Sequence, residues 1–280
     1  MNKAEKVSYV PSQTKRFEIS NDPISRERLA ALTAMIKELR NKHPFVVGAI
    51  LFGSLSKGKR LDENIADKSD IDFIIYLDAD ALIANFSDFE KERDSKRYKE
   101  MEEIDEELHE HYDPRTKEQK TLELAGWYIN DLAEKTFAAN LPGNRQSPKG
   151  IGFLAKPISL TGDYSIHETF KRTFRSHNLE YFASRTDNNL EPLHYSDVAL
   201  PWGLDVGGGL VEYRKAYLTQ LRELSKEERD LEWRVTTRII KFYERQGDIP
   251  EGFKAQYPET FDEALRYYGI KAPSIQTSET

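Results

Sequence analysis

The sequence has no cysteine among its 280 residues. Disulfide bonds, zinc–thiolate sites and cysteine nucleophiles are therefore excluded, and any bound metal must be held by oxygen or histidine ligands. The six histidines are scattered along the chain, and no pair of them has the spacing of a zinc site with acids nearby. The lack of thiolates thus directs attention to the carboxylates.

Long hydrophobic runs are also absent, since no apolar stretch approaches the length of about 20 residues that crosses a bilayer. The opening Met-Asn-Lys-Ala-Glu-Lys has no apolar signal core, so we expect a cytoplasmic protein without a membrane partner. The formal net charge is −7. This balance argues against a broadly basic surface for nucleic acid, although a local patch of either sign is compatible with it.

The most informative stretch is residues 46–78. Residues 46–52 are apolar, with β-branched and aromatic side chains, and they stop at Gly53-Ser54. This pattern is typical of a buried strand that ends in a tight turn. A glycine lets backbone N–H groups approach a phosphate, and the serine hydroxyl adds a donor. The turn is therefore a candidate phosphate-binding site.

A second strand is predicted to follow, and two acids precede or open it. Strand alternation places Asp70 and Asp72 on one face and the intervening apolar residues on the other. The repulsion between two neighbouring carboxylates is tolerable when a divalent cation lies between them, and hard oxygen ligands suit Mg²⁺. Acids for a metal and a turn for phosphate together indicate a nucleoside triphosphate.

Gly53-Ser54 followed by Ser69-Asp70-Ile71-Asp72 resembles the signature of the polymerase-β-like nucleotidyltransferase superfamily. Members of this superfamily transfer a nucleoside monophosphate to an acceptor hydroxyl with the help of two Mg²⁺ ions. The resemblance implies that Gly53 and Ser54 hold the triphosphate of ATP as co-substrate. It also implies that Asp70 and Asp72 bind the two metal ions.

The turn after Ser54 is longer than is usual in that family. Sixteen positions separate Ser54 from Asp70, and residues 61–68 form the extra loop. Lys57 or Arg60 in this turn would add positive charge to the bound triphosphate.

Residues 121–130 are compatible with either a helix or a strand. We favour a strand, because two metal ions that bridge a triphosphate need more oxygen ligands than two aspartates supply. Glu123 lies between apolar neighbours, and the segment resembles the Leu-Glu strand of the streptomycin/spectinomycin and kanamycin adenylyltransferases, where that glutamate helps hold the metals. A solvent-facing Glu123 on a helix is the alternative, and Asp131 is the second candidate.

Helices are predicted around these strands. A helix from Ser25, as a plausible N-cap, to about residue 41 should pack on the first strand. Residues 86–112 are dense in charge and predict an exposed helix, on which Asp105, Glu106 and Glu107 are expected at the surface.

The chain after residue 165 is predicted to be helical, apart from a loop over residues 188–209 that contains prolines and three consecutive glycines. The tail again resembles the streptomycin/spectinomycin enzymes, in which an acid at the start of a helix faces the acceptor and takes its proton. The counterpart here is Asp230 or Glu232. A solvated helix start is the alternative interpretation.

These patterns predict an α/β (α+β) protein. A nucleotidyltransferase domain with a small mixed sheet would cover residues 1–165, and an all-helical acceptor-binding domain would cover residues 166–280. The expected activity is Mg²⁺-dependent transfer of AMP from ATP to a hydroxyl of a small cationic acceptor, an antibiotic of the aminoglycoside type. The alternatives are transfer to RNA or protein and a catalytically silent nucleotide-binding module. An acidic pocket would favour the antibiotic, and a basic groove would favour RNA.

Overall fold

Helices cover both faces of a four-stranded mixed sheet in this protein, which confirms the predicted α/β class. The structure is a computed structural model that describes residues 22–52, 71–84, 95–109, 112–140, 155–174, 204–245 and 260–271. None of the described helices combines the length and the apolar character that a membrane crossing requires.

The elements follow one another in an irregular alternation of helices and strands. They are α1 (Pro23–Lys42), β1 (Val46–Phe52), β2 (Asp72–Asp78), α2 (Ala79–Ala84), α3 (Lys96–Leu108), α4 (Lys117–Asn140), β3 (Lys156–Ile158), α5 (Ile166–Phe174), β4 (Leu204–Val206), α6 (Val211–Glu223), α7 (Lys226–Arg245) and α8 (Phe261–Tyr267).

The sheet has the strand order β3-β2-β1-β4. The central pair, β1 and β2, is antiparallel, with Phe52 opposite Asp72 and Val46 opposite Leu77. β3 runs parallel to β2, and β4 runs antiparallel to β1. Both strands predicted in the stretch from residue 46 to 78 are confirmed, and they form the centre of the sheet.

The start of α1 differs from the prediction by three residues. Its N-cap is Asp22, whose carboxylate accepts the backbone N–H of Ser25 at 2.8 Å and the Ser25 hydroxyl at 2.7 Å. Pro23 occupies the first helical turn, where its missing N–H costs nothing. Ser25 therefore lies inside the helix as a buried partner of the cap.

Residues 121–130 form part of α4, so the predicted strand is wrong. Buried residues of α4 recur at intervals of three and four, which is the period of a helix face; among them are Leu122, Ala125, Ile129, Ala133 and Phe137. Gly126 permits close packing of α4 on the chain before β3, because a Cβ there would lie 2.6 Å from the Ala155 carbonyl oxygen.

The predicted loop over residues 188–209 is also wrong in part, because residues 204–206 form β4. The glycines that follow make an ordered turn, in which Gly207 and Gly208 have positive φ angles of 99° and 70°. The Asp205 carboxylate accepts the backbone N–H groups of Gly208 and Leu210, each at 3.1 Å. These two amides therefore already donate hydrogen bonds to a carboxylate of the protein, that of Asp205.

The two faces of the sheet carry separate apolar cores. Phe73, Ile75 and Leu77 of β2 pack with α1 and α4 on one face. Ile74 and Tyr76 lie in the other core, together with residues of α5, α6, α7 and α8. Full burial of one such side chain contributes about 1.5–3 kcal/mol. The C-terminal helices are thus held on the sheet face to which the even-numbered β2 residues belong. The domain boundary near residue 165 remains a prediction, and β4 reaches the sheet from beyond it.

Candidate functional site

The end of the β1–β2 pair carries the predicted nucleotide site. Phe52, the last residue of β1, pairs with Asp72, the first residue of β2. The chain therefore leaves the sheet toward Gly53-Ser54 and returns from Asp70 at adjacent positions of neighbouring strands. The predicted site residues Gly53, Ser54, Lys57, Arg60 and Asp70 and the side chain of Asp72 lie outside the described residues.

The residues next to this end are firmly held. Ile71 and Phe73 flank position 72, and both are fully buried in the first core. Position 72 has the same parity along the strand as Ile74 and Tyr76, whose side chains pack with the C-terminal helices.

Glu123 is not brought to this end of the sheet. It is 44% exposed on α4, and its carboxylate accepts a hydrogen bond from Arg115 Nη1 at 2.6 Å. The α4 residue that contacts the start of β2 is Phe137, whose ring centroid lies 6.2 Å from that of Phe73. Glu123 precedes Phe137 by fourteen positions, a distance of roughly 21 Å along a helix. A metal ligand role shared with Asp72 does not fit this separation.

Asp131, the second candidate for a third ligand, is engaged in ion pairs. Its carboxylate accepts hydrogen bonds from Lys135 at 2.7 Å and from Arg97 at 3.1 Å. Burial alone would raise the pKa of Asp131, but the hydrogen bonds from the two cations outweigh this effect, and the pKa is lowered. Asp131 therefore joins α4 to α3 as a charged surface residue.

The structure separates the two acids that were equivalent candidates on α7. Glu232 is 4% exposed, and its two carboxylate oxygens lie 2.9 and 3.1 Å from His167 Nδ1 of α5. The Asp230 side chain is 48% exposed. Asp230 is therefore accessible to solvent, whereas Glu232 connects two helices.

Asp230 lines a cavity of about 870 Å³ between the first turns of α7 and the start of α8. Three carboxylates and one guanidinium surround an apolar floor; the lining residues are Glu227, Glu228, Asp230, Leu231, Trp233, Arg234, Thr260 and Phe261. A hydrogen bond from the Ser225 hydroxyl at 2.7 Å lowers the pKa of Glu228. The excess of ionised carboxylates makes this cavity attractive to a cation.

A second group of charges joins α3 to α4. Asp105 was predicted at the surface, but it is fully buried. Arg115 Nη2 donates to Asp105 Oδ2 and to Asp113 Oδ2, both at 2.8 Å, while its Nη1 holds Glu123. The hydrogen bonds from Arg115 hold the pKa of Asp113 well below its usual range, and the same acids raise the pKa of Arg115.

Asp105, His109 and Asp113 can hold a metal ion. Each offers one ligand atom, and these atoms all lie within 4.8 Å of one another. The sequence interpretation missed this group because it considered pairs of histidines and treated the acids of α3 as solvated. The available signal was the even spacing of four residues from Asp105 to His109 and from His109 to Asp113, the first interval being one turn of a helix.

Fold and site together define a mixed-sheet α/β protein whose two central antiparallel strands are connected by the segment that contains Gly53-Ser54 and Asp70. Residues 32–135 match the family model described as a nucleotidyltransferase domain. The match runs from α1 into α4 and contains both motifs, although it covers well under half of the chain. No curated protein and no solved structure matches the chain.

The match confirms the resemblance to polymerase-β-like nucleotidyltransferases at the level of this domain. It supports nucleotidyltransferase activity in general and implies a nucleotide substrate, and the family typically uses divalent metal ions. The acceptor, the transferred nucleotide and the number of metal ions are matters for the proposal that follows.

Proposed function

We propose that the protein is an adenylyltransferase that moves AMP from ATP to a hydroxyl of a small cationic acceptor of the aminoglycoside type. The observation that supports this most is the pairing of Phe52 with Asp72 inside the matched domain. Because of this pairing, Gly53-Ser54 follows one strand and Asp70 precedes the other at the same end of the sheet. Triphosphate and metal sites must lie side by side for the transfer chemistry.

The carboxylates of Asp70 and Asp72 suit Mg²⁺, because they supply hard oxygen ligands from one strand. Mg²⁺, when bound, neutralises triphosphate charge and lowers the pKa of the acceptor hydroxyl. Glu123 is omitted from this set, since Arg115 holds it on a helix far from the start of β2. The proposed metal ligands of this chain are therefore Asp70 and Asp72.

The other residues bind and orient the reactants. Gly53 and Ser54 would donate hydrogen bonds to the triphosphate, and Lys57 or Arg60 would add charge-assisted ones. The acceptor oxygen forms a bond to the α-phosphorus as the bond from that phosphorus to the bridging oxygen breaks, and pyrophosphate leaves. Asp230, the accessible acid of α7, would take the proton of the acceptor hydroxyl.

The acceptor proposal is supported by charge. Among the described residues that line the cavity, Glu227 and Glu228 add two carboxylates to that of Asp230, and Arg234 adds one guanidinium. Such a lining attracts amines and repels the phosphates of RNA. The net charge of −7 acts in the same direction at longer range.

The decisive experiment is transfer of radiolabel from [α-³²P]ATP in the presence of Mg²⁺, with aminoglycosides and tRNA as acceptors. Asp72→Asn should reduce transfer at least about a hundredfold, because loss of a metal ligand removes several kcal/mol of charge stabilisation. Asp163→Asn, in an exposed turn, is the matched control and should remain active. Circular dichroism would verify that both variants fold.

Full activity in a folded Asp72→Asn variant would contradict the assignment of the metal site. The acceptor class is tested separately by thermal shift with ATP and Mg²⁺, since a bound partner raises the melting temperature by mass action. Stabilisation and labelling of an aminoglycoside would support the proposal. Stabilisation and labelling of tRNA alone would establish the macromolecular alternative.

A further inference from the structure

We propose that Asp105, His109 and Asp113 form a site for a transition-metal ion such as Zn²⁺, which Arg115 closes when no metal is bound. The site lies where the end of α3 meets the segment before α4. It shares no residue with the proposed nucleotide site at Asp70 and Asp72. The inference is therefore independent of the proposed function.

A single nitrogen of Arg115 marks the centre of the group. Its Nη2 atom lies 2.8 Å from Asp105 Oδ2, 2.8 Å from Asp113 Oδ2 and 3.1 Å from His109 Nδ1. Two carboxylates and one imidazole thus converge on one cationic atom. A metal ion would take the same place with shorter bonds, since zinc binds nitrogen and oxygen ligands at about 2.0–2.2 Å.

One buried oxygen at this site lacks a partner. Asp105 is fully buried, yet its Oδ1 atom makes no hydrogen bond among the described residues. Oδ1 lies 3.4 Å from Nδ1 of His109, another member of the group. A buried carboxylate oxygen without a partner is costly, so its presence points to a cation that completes the site.

The imidazole of His109 is also placed between conflicting partners. Its Nδ1 atom lies 2.9 Å from the Asp105 backbone carbonyl, which requires a donor, and 3.1 Å from Arg115 Nη2, which requires an acceptor. A neutral imidazole nitrogen can satisfy one of these contacts only. A metal ion bound through the Nδ1 lone pair would take the place of Arg115 Nη2 as the partner of this nitrogen.

The charge balance of the cluster favours an added cation. Asp105, Asp113 and Glu123 converge on Arg115. Lys120 lies 3.6 Å from Asp105 and 3.7 Å from Glu106. Four carboxylates therefore face two fixed cations, and a divalent ion would offset the excess negative charge.

The ligand set decides the class of metal. Two carboxylates and one imidazole suit zinc, manganese or cobalt, whereas Mg²⁺ and Ca²⁺ prefer oxygen ligands alone. Asp113 is exposed and His109 is partly exposed, so an ion has a route to the site from solvent. Arg115 could keep its contact with Glu123 after leaving the centre of the group.

The test is calorimetric titration of Zn²⁺ into the untagged full chain carrying Asp70→Asn and Asp72→Asn, which removes the proposed Mg²⁺ ligands. We expect one binding site, and Co²⁺ should give visible d–d bands typical of mixed nitrogen and oxygen coordination. His109→Gln in this background should weaken binding by at least about tenfold, as loss of a ligand exceeds loss of an outer-shell partner.

Glu106→Gln is the matched control, since it removes a nearby carboxylate that is outside the triad. Its affinity for Zn²⁺ should equal that of the parent. Arg115→Gln should bind Zn²⁺ more tightly, because the competing guanidinium is gone. The proposal is overturned if the parent shows no binding, if His109→Gln binds unchanged, or if Glu106→Gln weakens binding as much as His109→Gln does.

Discussion

Two of the buried carboxylates in the described part of this protein, Glu232 and Asp105, are stabilised in different ways. Glu232 on α7 has one side-chain partner, His167, which lies close to both of its oxygens. Asp105 on α3 faces Arg115, Lys120 and His109, yet one of its oxygens has no hydrogen bond among the described residues. Both oxygens of Glu232 thus lie close to a partner, whereas Asp105 has several charged neighbours and one oxygen without a hydrogen bond.

The difference follows the distance along the chain. His167 and Glu232 are 65 positions apart and come together only when α5 and α7 pack on the same face of the sheet. The partners of Asp105 lie within the fifteen residues after it. The His167–Glu232 pair therefore depends on the packing of two helices that are distant in sequence, whereas the Asp105 cluster is built from residues that are close in sequence.

Loss of the long-range pair should have the largest effect. His167→Leu would leave Glu232 buried without its partner and should lower the free energy of unfolding by about 3–5 kcal/mol. Urea unfolding at neutral pH measures this change. The double variant His167→Leu/Glu232→Leu should recover much of the loss, because an apolar pair needs no compensation. A double variant as unstable as the single one would show that packing, and not charge, is responsible.

Loss of Arg115 and its ion pairs should lower the free energy of unfolding by a smaller amount. Arg115→Leu should lower the free energy of unfolding by about 2–3 kcal/mol, because Lys120 remains close to Asp105 while Asp113 and Glu123 become hydrated. Arg97→Leu is the matched control, since its ion pairs are exposed and should contribute less than about 1 kcal/mol. If Arg115→Leu lowered the free energy of unfolding more than His167→Leu does, the local cluster would contribute more to stability than the long-range pair, contrary to our expectation.

The smallest expected effect is on how the free energy of unfolding depends on pH in the acid range. Arg115 holds the folded pKa of Asp113 below its unfolded value of 3.8. The unfolded chain therefore takes up the proton first as the pH falls, so this stabilisation is complete at neutral pH and is lost through the acid range. Unfolding measured from pH 7 to pH 3 should depend less on pH in Asp113→Asn than in the parent. Equal slopes in the two proteins would contradict the role of Arg115.

The sequence was sufficient to predict the two central strands of the sheet. Residues 46–52 and 73–77 are apolar runs with sharp ends, so these strands could be predicted without tertiary contacts. β4 was missed because Leu204, Asp205 and Val206 are too few for an alternation to appear. Its pairing with β1 depends on contacts that span more than 150 positions.

The remaining errors have a common physical origin. Residues 121–130 were predicted as a strand because the chemistry needed a third ligand, although Leu122, Ala125 and Ile129 already had helical spacing. Asp105 was predicted at the surface because acids in a charged run are usually solvated. Its burial depends on Arg115, which lies beyond the end of the helix and reaches back to it. Spacing along one element does not reveal a partner in the next.

β4 lies beyond the predicted domain boundary in the chain yet pairs with β1, so residues 1–165 do not contain the whole sheet. A fragment that ends near residue 165 would contain Asp70 and Asp72 but would leave the edge of β1 that faces β4 open at Ala49, Ile50 and Leu51. Such an open flank invites intermolecular strand addition and aggregation. A truncated version of this protein must therefore retain residues 204–206, so that this edge of β1 stays paired with β4.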